Sequence, residues 1–330
     1  MEEVKALFRS KETGILAVLL FLCVVLSVMN PVFLTGGNLH DILKANVVLA
    51  ILAMGMTLVI ITGGIDVSVA AVTSASIVIT GHLMARLPDS PLSVIIAFAV
   101  SILCGIVFGL INGLLISRVK IPPIVATLGM MSIINGSILY FTNGMYMNSS
   151  NFPAVFIRFA DLKIAGISIL VYLMLIITVL TWYVMKHTKI GRSVFAIGGN
   201  PVSAVRAGIS LERTQMFVYG YVGFMAGVAA MAQTMYTKSV DPNGMLGFEM
   251  TVISAVVIGG ANILGGSGSA WGTFLGVLLL GVMQNGLILT HIDTYWQKIV
   301  VGIVILTAVS YDVIQRKRAE SKLMKVEVQE

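Results

Sequence analysis

Charged side chains are scarce in this sequence. Only 11% of its 330 residues are Asp, Glu, Lys or Arg, whereas 57% are hydrophobic; a soluble domain carries about 25% charged residues. A chain of this composition has too few polar side chains to cover a surface that faces water. We therefore predict an all-α polytopic integral membrane protein, because helices satisfy their own backbone hydrogen bonds within lipid.

Cysteine and metal-ligand patterns are equally sparse. The two cysteines, Cys23 and Cys104, lie in apolar stretches without the spacing of a disulfide framework, so we expect them to pack as small hydrophobic side chains. The four histidines are scattered, and none has the spacing of metal ligands. No nucleophile lies in a pattern with a base. We therefore predict no metal site, no catalytic residues and no enzymatic activity, which disfavours a membrane enzyme or receptor.

The sequence also lacks a nucleotide-binding loop. The pattern G-x-x-x-x-G-K-[ST] does not occur, and the glycine-rich stretch 258–272 contains no lysine. We therefore predict no cofactor in this chain, and any driving energy must come from a partner, an ion gradient or the solute gradient. Ion coupling is disfavoured because the few ionisable groups near the spans, Asp66, Glu249 and Asp312, fall near predicted helix ends.

Long apolar stretches dominate what is present. Several approach the roughly 20 residues that cross a bilayer as a helix, and they predict about ten transmembrane helices in a single transmembrane domain over 1–330. The segment 249–262 is short, and we expect it to be re-entrant or to continue into its flanks. The predicted spans are 14–30, 43–61, 67–85, 92–116, 121–141, 165–185, 214–236, 249–262, 271–290 and 296–313.

Positive charge predicts the orientation of these spans. Fifteen of the 21 Lys and Arg residues fall in four segments that ten spans place on one side, and six fall on the other. Because cytoplasmic segments carry the excess of Lys and Arg, both termini are predicted to be cytoplasmic. The net charge of +6 is thereby explained without a nucleic-acid partner. The four positive segments are 1–13, 117–120, 186–213 and 314–330.

One cytoplasmic segment, 191–209 (GRSVFAIGGNPVSAVRAGI), is polar and punctuated by glycine. Asn200 is a good N-cap, Pro201 suits the first helical position, and Gly208 suits the left-handed residue that ends a helix. The pattern predicts a helix of about two turns, roughly 10 Å long, between spans six and seven. A helix this short requires packing against a partner to persist.

Polar residues near the spans are candidates for a solute path. Asp66 follows Gly63 and Gly64 and precedes Ser68, a pattern typical of a helix N-terminus, so we expect it to cap a helix, with solute contact as the alternative. Amides within spans bond either neighbouring helices or the hydroxyl groups of a solute. The path candidates are Asp66, Asn112, Asn135, Gln284 and Asn285.

The longest outer loop, 142–164, mixes aromatic and charged residues. Phe152, Phe156 and Phe159 are placed at helical spacing, which predicts a short helix lying at the membrane interface. We interpret this helix either as an aromatic anchor in the membrane or as part of a docking site for a partner.

Four motifs taken together resemble the ribose-type sugar permeases of bacterial ABC importers. They occupy 63–72, 121–144, 191–209 and 249–308, and the likeness covers nearly the whole chain beyond the first span. The resemblance implies a multi-pass permease in the bacterial cytoplasmic (inner) membrane, in contact with membrane lipid. It also implies a second copy or a paralogue, two cytoplasmic ATPases that bind ATP and Mg, and an extracytoplasmic solute-binding protein.

The resemblance also implies roles for particular residues. The cytoplasmic segment would couple the permease to the ATPase, with glycines setting turns, Asn200 capping the helix and Arg206 presenting charge. Asn135 departs from the family pattern, since relatives often carry arginine there, and no charged role is carried over to it. The coupling candidates are Gly191, Arg192, Gly199, Asn200, Arg206 and Gly208; the candidates for docking the solute-binding protein are Arg158, Lys163 and Lys238.

The expected function is therefore that of a permease subunit of an ATP-driven importer for a sugar or a similar small polar solute. A secondary transporter or facilitator that works alone is the alternative. Pentoses, hexoses and other small polar metabolites are all compatible with the spans.

Overall fold

The computed structural model describes residues 11–292 together with 295, 296, 299, 302, 303 and 306. The first ten residues, most of the predicted tenth span at 296–313 and the tail at 314–330 lie outside the described residues.

The described part is a helical bundle. Its first six helices are α1 (Lys11–Met29), α2 (Gly36–Ala45), α3 (Val47–Ile61), α4 (Val69–Met84), α5 (Pro91–Ser117) and α6 (Pro123–Thr142). A short 3-10 turn, Pro31–Leu34, joins α1 to α2. Helices α2 and α3 meet at a 45° bend.

The second half begins with a small region of mixed structure. It contains a 3-10 turn, Ser149–Asn151, then α7 (Ala154–Ala160) and a two-stranded antiparallel hairpin of β1 (Lys163–Ile164) and β2 (Ile167–Ser168). The remaining described helices are α8 (Ile169–His187), α9 (Lys189–Gly199), α10 (Pro201–Arg206), α11 (Leu211–Thr237), α12 (Phe248–Ile258) and α13 (Ala270–Leu289).

Six of the described helices are long and apolar enough to cross a membrane, and the bent pair α2–α3 raises the number to seven. The six are α1, α5, α6, α8, α11 and α13. Helices α4 and α12 are apolar but shorter. The chain is therefore a helical polytopic membrane protein, and each of the nine predicted spans before residue 293 corresponds to a helix or to the bent pair.

The short predicted span 249–262 forms an 11-residue helix, α12, and does not continue into its flanks. Gly247 precedes it with φ +80°, and Gly260 follows its cap with φ +87°. Residues in the left-handed conformation do not continue a helix, so Gly247 and Gly260 limit α12 at its two ends. At about 1.5 Å per residue the helix is roughly 16 Å long, about half the apolar thickness of a bilayer.

Glycines bring α5 and α11 into backbone contact at the centre of the bundle. A Cβ on Gly105 would lie 2.2 Å from the carbonyl oxygen of Gly223, and one on Gly109 would lie 2.3 Å from that of Tyr219. The Ser101 hydroxyl donates to the Gly227 carbonyl at 2.7 Å. Within lipid, close approach through small residues is a main source of helix association.

Burial separates central helices from peripheral ones. Every residue of α3 is buried, as is most of α11. Helix α1 instead exposes large apolar side chains such as Phe21 and Val28, as a helix facing lipid does. This accounts for the sequence of α3, which has no polar face.

The loops of the bundle separate into two sets, one at each end. At one end Arg118, the residue after α5, forms an ion pair of 2.5 Å with Glu212 in the first turn of α11. At the same end the Ser269 hydroxyl donates a hydrogen bond to the Glu12 carboxylate. At the other end Lys238 pairs with Asp161 at 2.6 Å. Glu212 and Lys238 lie at the two ends of α11, so these contacts separate the described loops into two groups.

We expect substitution of Gly105 by Val to disrupt the contact of α5 with α11, because the new side chain would overlap the backbone of α11. Overpacking of this kind costs about 1–3 kcal/mol or more. The midpoint of thermal unfolding of the protein in detergent should fall clearly. Gly14→Val is the matched control, since no atom lies within 4 Å of a Cβ on Gly14. Equal midpoints for the two variants would contradict the assigned contact.

Candidate functional site

The predicted coupling segment contains two helices rather than one. Thr188 caps α9, and its hydroxyl oxygen accepts a hydrogen bond of 3.0 Å from the Gly191 N–H. Val194 and Ile197 of α9 are buried. The prediction of a single short helix in 191–209 was therefore wrong for 191–199, where the spacing of these apolar residues indicates a helix with one buried face.

Helix α10 has the capping that the sequence predicts. The Asn200 side chain accepts a hydrogen bond of 2.9 Å from the Ser203 N–H, and Pro201 is the first helical residue. Gly208 has φ +82°, and its N–H donates to the Val205 carbonyl at 3.0 Å. The Ile209 N–H donates to the Ala204 carbonyl at 3.0 Å. These two bonds form a Schellman motif, so the predicted caps of this helix are confirmed.

The exposed side of this segment is partly apolar. Val202 and Val205, at helical spacing on α10, are 60% and 53% exposed, whereas Ala204 is buried. Arg192 and Arg206 are also exposed. We call Arg192, Val202, Val205 and Arg206 the coupling surface. The two valines were not among the predicted residues, although two apolar residues three apart in an otherwise polar short helix were a signal that could have identified them.

Helix α9 contacts the end of α3 through its backbone. A Cβ on Gly198 would lie 1.7 Å from the Ile61 carbonyl oxygen and 2.6 Å from the Gly266 nitrogen. The Gly266 N–H in turn donates to the same Ile61 carbonyl at 2.8 Å. We call Ile61, Gly198 and Gly266 the glycine joint. It connects the coupling surface to the break between α3 and α4. By contrast, no atom lies within 4 Å of a Cβ on Gly199.

The break between α3 and α4 carries a buried carboxylate. Asp66 is 2% exposed, and its Oδ1 accepts hydrogen bonds from the Ser68 N–H at 2.8 Å and from the Ser68 hydroxyl at 2.6 Å. Asn112 of α5 donates to the Ser68 hydroxyl oxygen at 2.8 Å. Asp66 thus satisfies a backbone donor at the start of α4, whereas Ser68, the N-cap residue itself, makes no side-chain cap.

The predicted path residues do not form one continuous group. Asp66 and Asn112 meet through Ser68, whereas Asn285 on α13 exchanges hydrogen bonds of 2.8 and 3.0 Å with Asn38 on α2. Gln284 is half-buried, and Asn135 on α6 is half-buried beside a separate small cavity. Asn112 and Asn285 therefore bond other helices.

The outer loop is tied to the bundle by aromatic side chains. Phe152 and Phe156 are buried, with ring centroids 5.7 Å apart, and Phe159 contacts Phe98 at 6.2 Å. The predicted short helix is present as α7. Its interpretation as an aromatic anchor in the membrane was wrong for Phe152 and Phe156, because these rings pack inside the protein.

The predicted docking residues differ in their charge environment. Arg158 lies 3.8 Å from the Asp89 carboxylate, and Lys238 is paired with Asp161. Lys163 is exposed on β1 and has no ion pair in the part of the chain that the structure describes. These residues share the end of the bundle opposite the coupling surface.

We expect the Asn112 contact to stabilise the break. Replacing Asn112 by Leu removes the donor to Ser68 and should lower the free energy of unfolding by about 1–3 kcal/mol. Thermal unfolding in detergent measures this change. In the double variant Asn112→Leu/Ser68→Ala the effects should not add, because the two residues share one hydrogen bond. Fully additive effects would show that the contact contributes nothing.

Comparison with known proteins shows extensive similarity. The family model described as branched-chain amino acid transport system / permease component matches residues 38–309. The chain is 34% identical to the ribose import permease protein of Escherichia coli K12 over 304 residues, which cover 90% of this chain and 92% of that protein. No solved structure matches this chain.

Permeases named for other sugars are also similar. The chain is 32% identical to the L-arabinose ABC transporter permease protein of Azospirillum brasilense, over 95% of this chain and 90% of that protein. It is 30% identical to the D-allose transport system permease protein of Escherichia coli K12, with 93% of each chain covered.

Proposed function

We infer the function of this chain from the family to which it belongs, the branched-chain amino acid transport system permease components. The chain is a permease subunit of an ABC importer and not an enzyme. The observation that carries this conclusion is the similarity to sugar permeases over nine-tenths of the chain. The alternative of a transporter that works alone has no support among these relatives.

The solute that we propose is a sugar or a similar small polar molecule. The relatives are named for ribose, L-arabinose and D-allose, which share several hydroxyl groups. A solute-binding protein on the outer side would deliver it, and we propose Arg158, Lys163 and Lys238 as contacts. Lys163, exposed on its hairpin, is the residue with most freedom to pair with an acidic group of a partner.

The energy would come from two ATPases that bind ATP and Mg in the cytoplasm. We propose that each ATPase receives the coupling surface in a groove, where Val202 and Val205 bury apolar area and Arg206 pairs with an acidic residue. Movement of α10 would pass through α9 and the glycine joint to the end of α3. The break at Asp66 would shift together with the end of α3, and this shift would open the solute path alternately to the two sides of the membrane.

We further propose ten spans with both termini in the cytoplasm of a bacterial inner membrane. The distribution of Lys and Arg and the grouping of loops at two ends support this orientation. A second permease, identical or paralogous, would pack on the exposed face of α6. That face carries Gly129, Ser132 and Gly136, and no atom lies within 4 Å of a Cβ on either glycine. Small residues of this kind let another helix approach closely.

Reconstitution tests the function as a whole. Liposomes that contain the permease, its ATPase and its solute-binding protein should take up D-ribose, L-arabinose or D-allose only when ATP is supplied to the ATPase side. Liposomes that contain the permease alone should show no uptake. Rapid ATP-independent uptake by the chain alone would instead establish the facilitator.

We expect charge introduced into the coupling surface to weaken ATPase binding. Val202→Asp and Val205→Asp each place a carboxylate where an apolar contact is proposed, and co-purification of the ATPase should fall at least about tenfold. Val32→Asp is the matched control, since Val32 is 52% exposed at the opposite end of the bundle. Normal co-purification of both coupling variants would contradict the assigned surface.

The glycine joint yields a prediction that separates binding from transport. Gly198→Ala should leave ATPase association intact but lower ATP-driven uptake by about tenfold or more, because the methyl group displaces α9 from the Ile61 carbonyl. Gly37→Ala, at a position where no atom lies within 4 Å of a Cβ, is the control and should transport normally. Uptake and ATP hydrolysis are measured together in liposomes. Equal uptake per ATP in the two variants would show that the joint does not transmit the motion.

A further inference from the structure

A small cavity on one side of the bundle collects three polar side chains from three helices. Ser74 of α4, Asn135 of α6 and Glu249 of α12 line it, together with Met131 and Met245. Its volume is about 90 Å³, which holds several water-sized groups but not a complete monosaccharide. We call it the Glu249 cavity.

None of the three polar side chains has a hydrogen-bond partner within the described part of the chain, although Ser74 is 4% exposed and Glu249 is 9% exposed. Neighbouring buried hydroxyls on α4 behave differently. Thr73 donates to the Val69 carbonyl at 2.8 Å, and Ser76 donates to the Val72 carbonyl at 2.9 Å. Ser74 thus differs from Thr73 and Ser76, whereas Thr80 of the same helix is also buried without a partner among the described residues; what distinguishes Ser74 is that it lines a cavity with two other polar side chains.

The cavity lies near the middle of α6, a helix long and apolar enough to cross a membrane. Asn135 is roughly 18 Å along α6, a helix about 30 Å long. At this depth an unsatisfied amide or carboxylate is costly, and ionisable groups there generally face a water-filled cavity or a transported solute. The first turn of α12 favours negative charge at Glu249. This effect does not explain why Asn135 and Ser74, beside the same cavity, also lack hydrogen-bond partners among the described residues.

The chemistry of the three groups suits a hydroxylated ligand. The Glu249 carboxylate accepts hydrogen bonds, the Asn135 amide donates and accepts them, and the Ser74 hydroxyl does both. Adjacent hydroxyls on a sugar offer the complementary set. The carboxylate would also repel phosphorylated or acidic sugars at this depth, where charges are poorly screened.

Resting on the function proposed above, we propose that the Glu249 cavity binds one hydroxylated edge of an uncharged monosaccharide during translocation. Glu249 accepts from two hydroxyls of the solute, and Asn135 and Ser74 orient them. The cavity adjoins the exposed face of α6, so the rest of the solute would contact groups beyond this cavity.

Transport by the assembled complex tests the proposal. Permease, ATPase and solute-binding protein are reconstituted in liposomes, and maximal ATP-driven uptake of D-ribose, L-arabinose and D-allose is measured. Glu249→Gln should lower the maximal rate about ten- to a hundredfold, the usual effect of losing a charge-assisted hydrogen bond. Ser74→Ala should lower it less, and Ser76→Ala, which changes a self-satisfied hydroxyl, serves as the matched control.

The outcomes distinguish this proposal from the proposed function. If the natural complex shows no ATP-driven uptake of any of the three sugars, both the proposed function and the proposed role of the cavity are wrong. If the natural complex transports and Glu249→Gln transports equally well, only the cavity's role falls. A lower melting temperature for Glu249→Gln with a normal rate per assembled complex would assign Glu249 a structural role and would also overturn the proposal.

Chemical labelling provides a second readout that does not depend on transport rate. In a chain with Cys23→Ser and Cys104→Ala, Asn135→Cys should react with a hydrophilic cationic thiol reagent, and the transported sugar should slow the reaction. Phe21→Cys, exposed on the lipid-facing helix α1, should react slowly because lipid covers it. Reaction of Asn135→Cys at the Phe21→Cys rate, or reaction unaffected by the sugar, would overturn the proposal.

Discussion

The close backbone contact of α5 with α11 is the constraint on which the rest of this bundle depends. With Gly105 and Gly109 on one side and Gly223 and Gly227 on the other, the two helices approach until backbone atoms touch. Lipid provides no hydrophobic force to press helices together, so this contact supplies packing that larger side chains would prevent. The position of α5 then decides where Asn112 lies, and Asn112 reaches Ser68 in the break between α3 and α4.

The same use of glycine recurs where α9 meets the end of α3. The Ile61 carbonyl accepts from Gly266 while Gly198 lies directly against it. These backbone contacts allow little independent movement of α9 and α3, because no flexible side chain separates the two helices. Helix α9 is joined in this way to the end of α3, next to the buried, hydrogen-bonded break at Asp66, and the proposed coupling relies on this contact. Interrupted helices of this kind are where transporters commonly place their moving parts.

The polar residues named as path candidates differ in the contacts that they make. Asp66, Asn112 and Asn285 form hydrogen bonds with other residues of the protein and connect its helices. Asn135 and Glu249 have no such partner in the described chain, and they share a cavity near the middle of α6. Residue type alone does not predict which contacts a residue makes. Asn112 bonds Ser68, whereas Asn135, with the same side chain, lines a cavity.

Local patterns in the sequence by themselves determined the membrane character, the approximate helices and the caps of α10. These features depend on neighbouring residues: an apolar stretch partitions into lipid, and Asn200, Pro201 and Gly208 act within one short helix. Only the tertiary structure decided that 189–199 is a second helix with a buried face, that α12 does not continue into its flanks, and that Glu249 and Asn135 line one cavity. Glu249 and Asn135 are more than a hundred residues apart in the chain, and only the packing of α4, α6 and α12 brings them to one cavity.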